Sequence, residues 1–302
     1  MYPPNDGAPA DPGPAASASR AARRRQQLLI CSAVAFGSAA LLGVLLALVT
    51  SHWGPLARLD HGWVSSLHGY AVRHNVWTAA MQTLADIGGT TTMRALLGLA
   101  AVWLWAIGAR TLGGWAATLI LTGWLAGWSG KNIVGRERPR FPDSVAQTNG
   151  FSFPSGHALA SAITCAALVI LVWPRANRAG RVVSCTFAAL TVLAIGWTRI
   201  ALATHWPSDV LAGWLAAALI VSTVTLAVEL WQPGALSRDV RRVDWRTRPR
   251  IQRVLATDTP GVDPLDPFDP SGPFEPLEPG FEPDSGPATG PLRAPGRRAD
   301  GQ

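Results

Sequence analysis

The chain has 302 residues, of which 48% are hydrophobic and only 15% are charged, a composition that excludes an ordinary soluble domain and indicates a membrane protein. Its formal net charge is +7, and because residues 258–302 carry nine acids against three arginines, residues 1–257 carry +13. The basic excess therefore lies on the membrane part and its flanks, and we expect a bilayer, and no nucleic acid, as its partner.

The N-terminal segment combines a polar tail with a long apolar run. Residues 1–27 are rich in Pro, Ala, Ser and Arg without an apolar period, so a disordered basic tail is predicted. The run Leu28–Thr50 follows the sequence RAARRR, which would also suit a cleaved signal peptide. Because its 23 residues exceed the roughly 7 to 15 of a signal-peptide core, an uncleaved membrane anchor is the better interpretation.

Six membrane spans are predicted, because a span needs about 20 mostly apolar residues. The six segments are Leu28–Thr50, Thr91–Ala109, Leu112–Gly130, His157–Trp173, Val182–Ala203 and Val210–Leu230. Arginines are concentrated on the side of the N-terminal tail, so the positive-inside rule predicts that both tails are cytoplasmic. The predicted fold is an all-α bundle of six transmembrane helices over residues 28–231.

The connection between the first two spans is predicted to be an amphipathic helix. Its apolar and aromatic residues recur close to helical spacing, which is typical of a segment that lies flat in the membrane interface. They are Leu56, Leu59, Trp63, Leu67 and Tyr70.

Cations that border the third span indicate an anion site. The sequence KNIVGRERPR begins with Lys131, the only lysine of the chain. In the predicted topology it lies on the outer side, which positive charge normally avoids. Lys131, Arg138 and Arg199 form a concentration of cations that attraction to lipid headgroups explains poorly. For Arg136 and Arg140, a membrane-surface role and a substrate contact both remain open.

The fourth span begins after the tetrapeptide PSGH. Ser155 can cap the helix, and Gly156 lets an anion such as phosphate approach the free N–H groups of the helix start. His157 lies in the first turn, where it can exchange a proton with a leaving group. A loop that simply ends before a helix is an equally good interpretation of this tetrapeptide alone.

The sixth span begins with a histidine and an aspartate on one helical face. His205 and Asp209 are four residues apart, so the carboxylate can accept a hydrogen bond from one imidazole nitrogen. That bond would fix the tautomer and leave the other nitrogen as a nucleophile. An isolated pair of this kind at an interface is more often structural.

Two polar segments follow the last span. Residues 232–255 carry seven arginines and are predicted to be a basic juxtamembrane segment that contacts anionic lipids. Residues 256–302 repeat apolar, acidic and proline residues, as in DPLDPFDP, and are predicted to be a disordered cytoplasmic tail. A docking peptide for a cytosolic partner is the alternative interpretation of this tail.

Together the three motifs resemble the signature of the type 2 phosphatidic acid phosphatase (PAP2) superfamily. Lys131 is followed after six residues by Arg138 and a proline, and PSGH comes next. Arg199 is then followed after five residues by His205, and after three more by Asp209. The resemblance implies a bacterial-type integral membrane lipid phosphatase.

The resemblance also implies a role for each motif residue. His205 would form a phosphohistidine, Asp209 would orient it, and His157 would protonate the leaving group and later activate water. The phosphate would be held by Lys131, Arg138, Ser155, Gly156 and Arg199. Where the family commonly has a serine before the arginine of the third motif, this chain has Thr198, which keeps the hydroxyl.

The implied activity is hydrolysis of a lipid phosphate monoester or diphosphate, without a metal or other cofactor, at the extracytoplasmic face of the plasma membrane. Candidate substrates are phosphatidate, phosphatidylglycerol phosphate and undecaprenyl diphosphate. One alternative is a phosphotransferase of the same superfamily that uses a hydroxyl acceptor in place of water. Another is a non-catalytic membrane scaffold with the same fold, which would have no need of all the motif residues.

Overall fold

The computed structural model describes residues 14–146 and 148–243. These residues form nine helices and no strand, which confirms the predicted all-α class. The helices are α1 (Pro14–Thr50), α2 (Gly54–Arg73), α3 (Asn75–Ile87), α4 (Thr90–Ala106), α5 (Arg110–Val134), α6 (Gly156–Val172), α7 (Arg178–Ala201), α8 (Pro207–Trp231) and α9 (Ala235–Val243). The predictions for residues 1–13 and 244–302 lie outside the described residues.

Helix α1 begins earlier than the sequence suggested. It starts at Pro14, so residues 14–27, for which we expected disorder, form its first turns. Ala, Arg and Gln dominate this stretch, and all three are strong helix formers. Because no proline or glycine interrupts the sequence between Pro14 and the apolar run, the helix of the span extends backwards without a break.

Every predicted span coincides with one long helix, namely α1, α4, α5, α6, α7 or α8. Four segments of the described chain are long and apolar enough to cross a membrane, and α6 is a shorter apolar helix. The four are Ala21–Thr50, Asn75–Ala106, Arg178–Ala201 and Pro207–Trp231, the second of which includes α3 as well as α4. Helix α5 is not among them, so the count of six remains a prediction.

Helix α8 lies at the centre of the bundle, where it packs against α1, α5, α6 and α7. The core between α4, α5 and α6 is formed by fully buried Leu97, Leu119 and Leu159. The indole of Trp115 on α5 is also buried and donates a hydrogen bond to Thr225 Oγ1 on α8 over 3.1 Å. This bond satisfies the indole N–H inside the bundle.

Helix α9 closes the end of the bundle opposite to Lys131. The Asp239 carboxylate accepts hydrogen bonds from the backbone N–H groups of Thr111 and Leu112, over 2.7 and 3.2 Å, at the start of α5. A carboxylate at this position satisfies free N–H groups and complements the positive end of the helix dipole. The basic segment after the last span therefore begins with a helix that holds α5 in place.

The other end of the bundle, which we call the motif end, carries Lys131 at the end of α5 and the starts of α6 and α8. The amphipathic segment predicted there is helix α2, which contacts α7 and α8. Its buried face consists of Asp60, Val64, His68 and Ala71, while Trp63 on the opposite face is exposed. A buried aspartate on this face requires a polar partner.

Candidate active site

Four helix ends meet at the motif end, and glycine brings two of them into close contact. The Ser155 N–H donates to the Asp209 carbonyl over 2.9 Å, which joins the start of α6 to the start of α8. A Cβ at Gly213 would lie 2.8 Å from the Ser155 carbonyl oxygen and 2.9 Å from Ala158 Cβ. Only glycine allows this approach, which places the PSGH segment beside the third motif.

His205 is buried in the turn between α7 and α8, with 3% of its surface exposed. Its Nε2 atom lies 3.1 Å from Nη1 of Arg138, which also donates to the Thr204 carbonyl over 2.7 Å. A guanidinium can only donate, so this contact assigns the lone pair to Nε2 and the proton to Nδ1. Nε2 is therefore the nitrogen with nucleophilic character.

Asp209 faces the other nitrogen of His205, but at a distance beyond a hydrogen bond. Its Oδ2 lies 3.6 Å from Nδ1, and within the described chain Nδ1 has no hydrogen-bond partner. Oδ2 instead accepts from the Trp206 N–H over 2.9 Å. Burial lowers the pKa of His205, and the nearby Asp209 carboxylate opposes this shift. The neutral imidazole is thus favoured at neutral pH.

A network that the sequence did not reveal holds Asp209 from its far side. Arg136 donates to Asp209 Oδ1 over 2.6 Å, to Ser208 Oγ over 2.7 Å and to Asp60 Oδ2 over 2.7 Å. The Ser208 N–H donates to Asp60 Oδ1 over 3.0 Å. Arg136 therefore has carboxylate partners inside the protein, rather than the membrane-surface or substrate role that we had left open for it.

One signal could have indicated this network. Asp60 is the only acidic residue between Asp11 and Asp86, in a segment with a predicted amphipathic helix. A single carboxylate on a helix beside a membrane implies a cationic partner. Arg140, by contrast, is exposed and lies 3.5 Å from Glu137 Oε1 on the protein surface.

His157 and Arg199 form the second imidazole–guanidinium pair. His157 Nε2 lies 3.5 Å from Arg199 Nη1, and Arg199 is 6% exposed. The charges of Arg199, Lys131 and Arg138 all act on the His157 imidazole, and His205 is close enough to do so as well. The structure thus brings together the two histidines and the three cations that the motifs predicted.

The remaining predicted phosphate contacts surround the start of α6. Ser155 occupies the N-cap position without a side-chain cap bond, and its buried Oγ has no partner in the described chain. The side chain of half-buried Lys131 likewise makes no hydrogen bond or ion pair with the described residues. The buried Thr198 hydroxyl, however, donates to the Ile195 carbonyl over 2.7 Å. A bound anion would satisfy the first two groups.

This arrangement can stabilise a phosphoryl group between two imidazoles. Fixed guanidinium and ammonium groups neutralise the oxygens of a phosphoryl group as charge develops on them. In the described part of the chain, no group of three or more His, Cys, Asp or Glu side chains is placed to hold a metal ion. The positive charge available at this site comes from Lys131, Arg138 and Arg199.

A cavity of about 640 Å³ opens next to Arg138. It is lined by the loop from Glu137 to Phe151 and by Ala203, which adopts a positive φ of 52° beside the third motif. A larger cavity of about 940 Å³ lies among α1, α5, α6, α8 and α9 and contains none of the motif residues. Cavity size therefore does not identify the site, whereas the convergence of the motifs does.

Comparison with known proteins identifies the same part of the chain as the motifs. The sequence model of the PAP2 superfamily matches residues 110–232. Phosphatidylglycerophosphatase B of Escherichia coli strain K12 is 37% identical over 84 residues, which are 27% of this chain and 29% of that protein. The protein of the same name from Shigella flexneri matches equally well. The chain therefore aligns with less than a third of the length of these relatives.

The fold is also found in a solved structure. The crystal structure of a transmembrane PAP2 type phosphatidylglycerolphosphate phosphatase from Bacillus subtilis superposes with a TM-score of 0.56 at 18% identity. The superposition covers 66% of this chain and 98% of that one. The helices that carry the three motifs, α5 to α8, lie within residues 110–232, the segment that is similar to the PAP2 superfamily model.

Proposed function

We propose that the protein is a lipid phosphatase that hydrolyses a phosphate monoester or diphosphate through a phosphohistidine at His205. The substrate classes are phosphatidate, phosphatidylglycerol phosphate and undecaprenyl diphosphate. Residues 28–231 form the catalytic core, and no metal is required because protein cations supply the charge. The phosphatidylglycerophosphatase B relatives support this activity.

In the first step Nε2 of His205 attacks the phosphorus atom. The N–P bond forms as the P–O bond to the lipid breaks, and His157, which takes up a proton when the anionic substrate binds beside it, gives that proton to the departing oxygen. Asp209 lies on the Nδ1 side, where its negative charge stabilises the positive charge that develops on the ring. Lys131, Arg138 and Arg199 hold the phosphoryl oxygens.

In the second step water releases the phosphate. His157, now neutral, takes a proton from a water molecule, and the water oxygen attacks phosphorus as the N–P bond breaks. Inorganic phosphate leaves and His205 returns to its neutral form. The Ser155 hydroxyl and the N–H groups at the start of α6 remain in contact with the phosphoryl oxygens throughout.

The observation that carries the proposal is the pairing of each histidine with an arginine. Arg138 Nη1 lies 3.1 Å from His205 Nε2, and Arg199 Nη1 lies 3.5 Å from His157 Nε2. Two guanidinium groups beside two imidazoles repel each other unless an anion lies between them. A phosphoryl dianion has the charge that this position requires.

The location of the site supports a lipid substrate. A headgroup can reach the cations at the motif end while its tail remains among the apolar helices, since α4, α5 and α6 have exposed apolar side chains such as Leu99, Leu121 and Ile170. The distribution of arginines in the loops favours an extracytoplasmic site with both termini in the cytoplasm.

The test is phosphate release by the purified protein from the three lipids, with EDTA present. We expect release from at least one lipid and none from His205→Ala. Release by His205→Ala at the wild-type rate, or a complete loss in EDTA that zinc or magnesium restores, would overturn the proposal. Product analysis with ¹⁸O-labelled water distinguishes hydrolysis, which labels the phosphate, from transfer to a hydroxyl acceptor.

A further inference from the structure

Asp60 on helix α2 takes no part in the proposed chemistry, although it is almost completely buried. Its side chain is 1% exposed and accepts hydrogen bonds from the Ser208 hydroxyl over 2.5 Å and from Arg136 Nη2 over 2.7 Å. The same guanidinium of Arg136 binds Asp209, whose other oxygen faces His205. A continuous series of polar contacts therefore leads from α2 to the proposed nucleophile.

The rest of the buried face of α2 covers the same region of the protein. Val64 packs against Trp206 in the turn between α7 and α8, and the His68 ring stacks on Phe141 with ring centroids 4.0 Å apart. Only Val64 and Ala71 are apolar among the four buried residues of this helix. The bundle itself therefore provides α2 with little hydrophobic stabilisation.

A second stripe of α2, which faces away from the bundle, is apolar. Leu59 and Trp63 are each 51% exposed, and Tyr70 is 42% exposed. The spacings of four and seven residues place the three side chains on one side of the helix, and we call them the apolar stripe. The indole of Trp63 lies edge-on to that of Trp197 on α7, with ring centroids 6.2 Å apart.

Trp197 relates the apolar stripe to the level of the membrane. It lies in the last two turns of α7, a helix that is long and apolar enough to cross a bilayer. A tryptophan near the end of such a helix is typical of the boundary between lipid headgroups and acyl chains. Helix α2 also follows directly on α1, another such helix, after residues 51–53. Both neighbours indicate that the apolar stripe lies at the membrane surface, where lipid can cover it.

We propose that the bilayer holds α2 in place through the apolar stripe, and that Asp60 is a positioning residue through which this contact acts on the active site. When the stripe is covered by lipid, Asp60 stays bound to Arg136, and Arg136 keeps Asp209 directed towards the nucleophile. When the contact is weakened, α2 moves away and Asp209 loses its support. This inference rests on the proposed function and adds to it a dependence of catalysis on lipid contact.

A simpler role for the apolar stripe is to collect lipid substrate at the membrane surface. Such a role would change KM for a long-chain lipid and leave kcat unchanged. In the proposed role the stripe acts on kcat, including the kcat for a substrate that is soluble in water. Measurements of kcat therefore separate the two roles.

The experiment measures kcat of the full-length protein in phospholipid nanodiscs. The substrates are dibutanoyl phosphatidate and geranyl diphosphate, which dissolve as monomers, and a saturating long-chain lipid if neither of them reacts. The wild type is compared with Leu59→Gln, Leu59→Phe and the control Trp231→Gln, whose tryptophan is 83% exposed at the opposite end of the bundle. We expect Leu59→Gln to lower kcat by about 10-fold, because the membrane contact loses one large apolar side chain. Leu59→Phe and Trp231→Gln should retain the wild-type kcat.

A double-mutant cycle tests the connection to the active site. Asp60→Asn removes the charge that Arg136 binds, and we expect it to lower kcat by about 10- to 100-fold without a change in KM. Because the membrane contact acts through Asp60, Leu59→Gln should have little further effect on kcat in the Asp60→Asn protein. If Asp60→Asn cannot be purified, Arg136→Lys takes its place in the cycle, since an ammonium cannot span both carboxylates.

An unchanged kcat in Leu59→Gln, or a change confined to KM, overturns the inference. A loss of kcat by the same factor with and without Asp60 also overturns it, because independent effects multiply. A partly unfolded variant would lower the rate equally in both backgrounds, so the cycle separates unfolding from the proposed connection. If Leu59→Gln cannot be purified, Tyr70→Gln removes another side chain of the stripe and is held to the same criteria. Failure of the proposed function is distinguishable, because the wild type would then release phosphate from none of the substrates.

Discussion

Arg136 and Asp209 form an ion pair at the base of the site, with Nη1 and Oδ1 2.6 Å apart and the Asp209 side chain completely buried. The second nitrogen, Nη2, pairs with Asp60 over 2.7 Å. One guanidinium therefore joins helix α2 to the third motif. Because Arg136 binds Oδ1 and holds the carboxylate with Oδ2 facing His205, it acts as a positioning residue for the histidine.

We expect Arg136→Ala to reduce kcat for phosphate release by about 10- to 100-fold with little change in KM, because Arg136 holds Asp209 and does not touch the substrate. Steady-state kinetics in detergent checks this. The variant also removes the ion-pair partner of two buried carboxylates, Asp60 and Asp209, which costs about 3–5 kcal/mol of stability and lowers the midpoint of thermal unfolding. Arg136→Lys should recover part of the stability, although an ammonium cannot span both carboxylates.

The matched control for this variant is Arg140→Ala. Arg140 lies four residues further along the same loop, and its side chain is 79% exposed. A loss of activity in Arg140→Ala as large as that in Arg136→Ala would show that removal of any positive charge from this loop reduces activity. An increase in KM without a change in kcat would instead assign Arg136 to substrate binding.

Removal of either Lys131 or Arg138 should affect the chemistry itself. Both cations are expected to neutralise phosphoryl oxygens, and loss of one such contact costs about 10²- to 10³-fold in kcat. We therefore expect Lys131→Ala and Arg138→Ala to release phosphate far more slowly than Arg140→Ala, measured with the same lipid under saturating conditions. Equal losses of activity in all three variants would contradict the assignment of Lys131 and Arg138 to the phosphate-binding site.

The pH dependence of kcat should report the ionisation of His205. Burial holds the pKa of this imidazole below its ordinary value of 6.5, so the nucleophilic neutral form persists below that pH. Activity is lost as the pH falls through the lowered pKa and the lone pair of Nε2 is protonated. The Asp209 carboxylate raises the pKa, so in Asp209→Asn the acid limb should move to lower pH, with kcat reduced by about 10²- to 10⁴-fold.

The measurement is a pair of pH–kcat profiles, one for the wild type and one for Asp209→Asn, with one lipid substrate. Ionisation of the substrate is common to both profiles and cancels in the comparison. An acid limb that moves to higher pH in the variant would contradict the assignment of this limb to His205.

Gly213 should tolerate no side chain, because a Cβ there would press on the Ser155 carbonyl at 2.8 Å. We expect Gly213→Ala to displace the start of α6, reduce phosphate release and cost about 1–3 kcal/mol of stability. Gly114→Ala on α5 is the control, since no atom lies within 4 Å of its added Cβ. A Gly213→Ala protein as active and as stable as Gly114→Ala would show that the close approach is not needed.

The C-terminal tail should be dispensable for catalysis. All the motif residues lie between Lys131 and Asp209, and the last described helix ends at Val243. Deletion of residues 256–302 is therefore expected to leave the phosphatase activity of the detergent-solubilised protein unchanged. A loss of activity after this deletion would show that the tail contributes to the folded core.

The sequence predicted the helices and the motif residues well, because both depend on local patterns. Apolar runs identify helices by their length, and the motifs placed His157 and Asp209 at helix starts. His205, which we expected on the same helix as Asp209, lies instead in the turn before α8. The role of Arg136 could not be predicted, because its partner Asp60 lies on α2, 76 residues away, and only the packed fold shows which cation reaches it.

The hydrogen bond between Arg138 and His205 has a consequence for selectivity. Since the guanidinium donates to Nε2 over 3.1 Å, any electrophile must first draw Arg138 away from that nitrogen. A dianionic headgroup does so by offering the guanidinium stronger acceptors, whereas a neutral ester offers none. In the proposed mechanism, the same arginine would therefore shield the nucleophile from uncharged electrophiles and release it when an anionic headgroup binds.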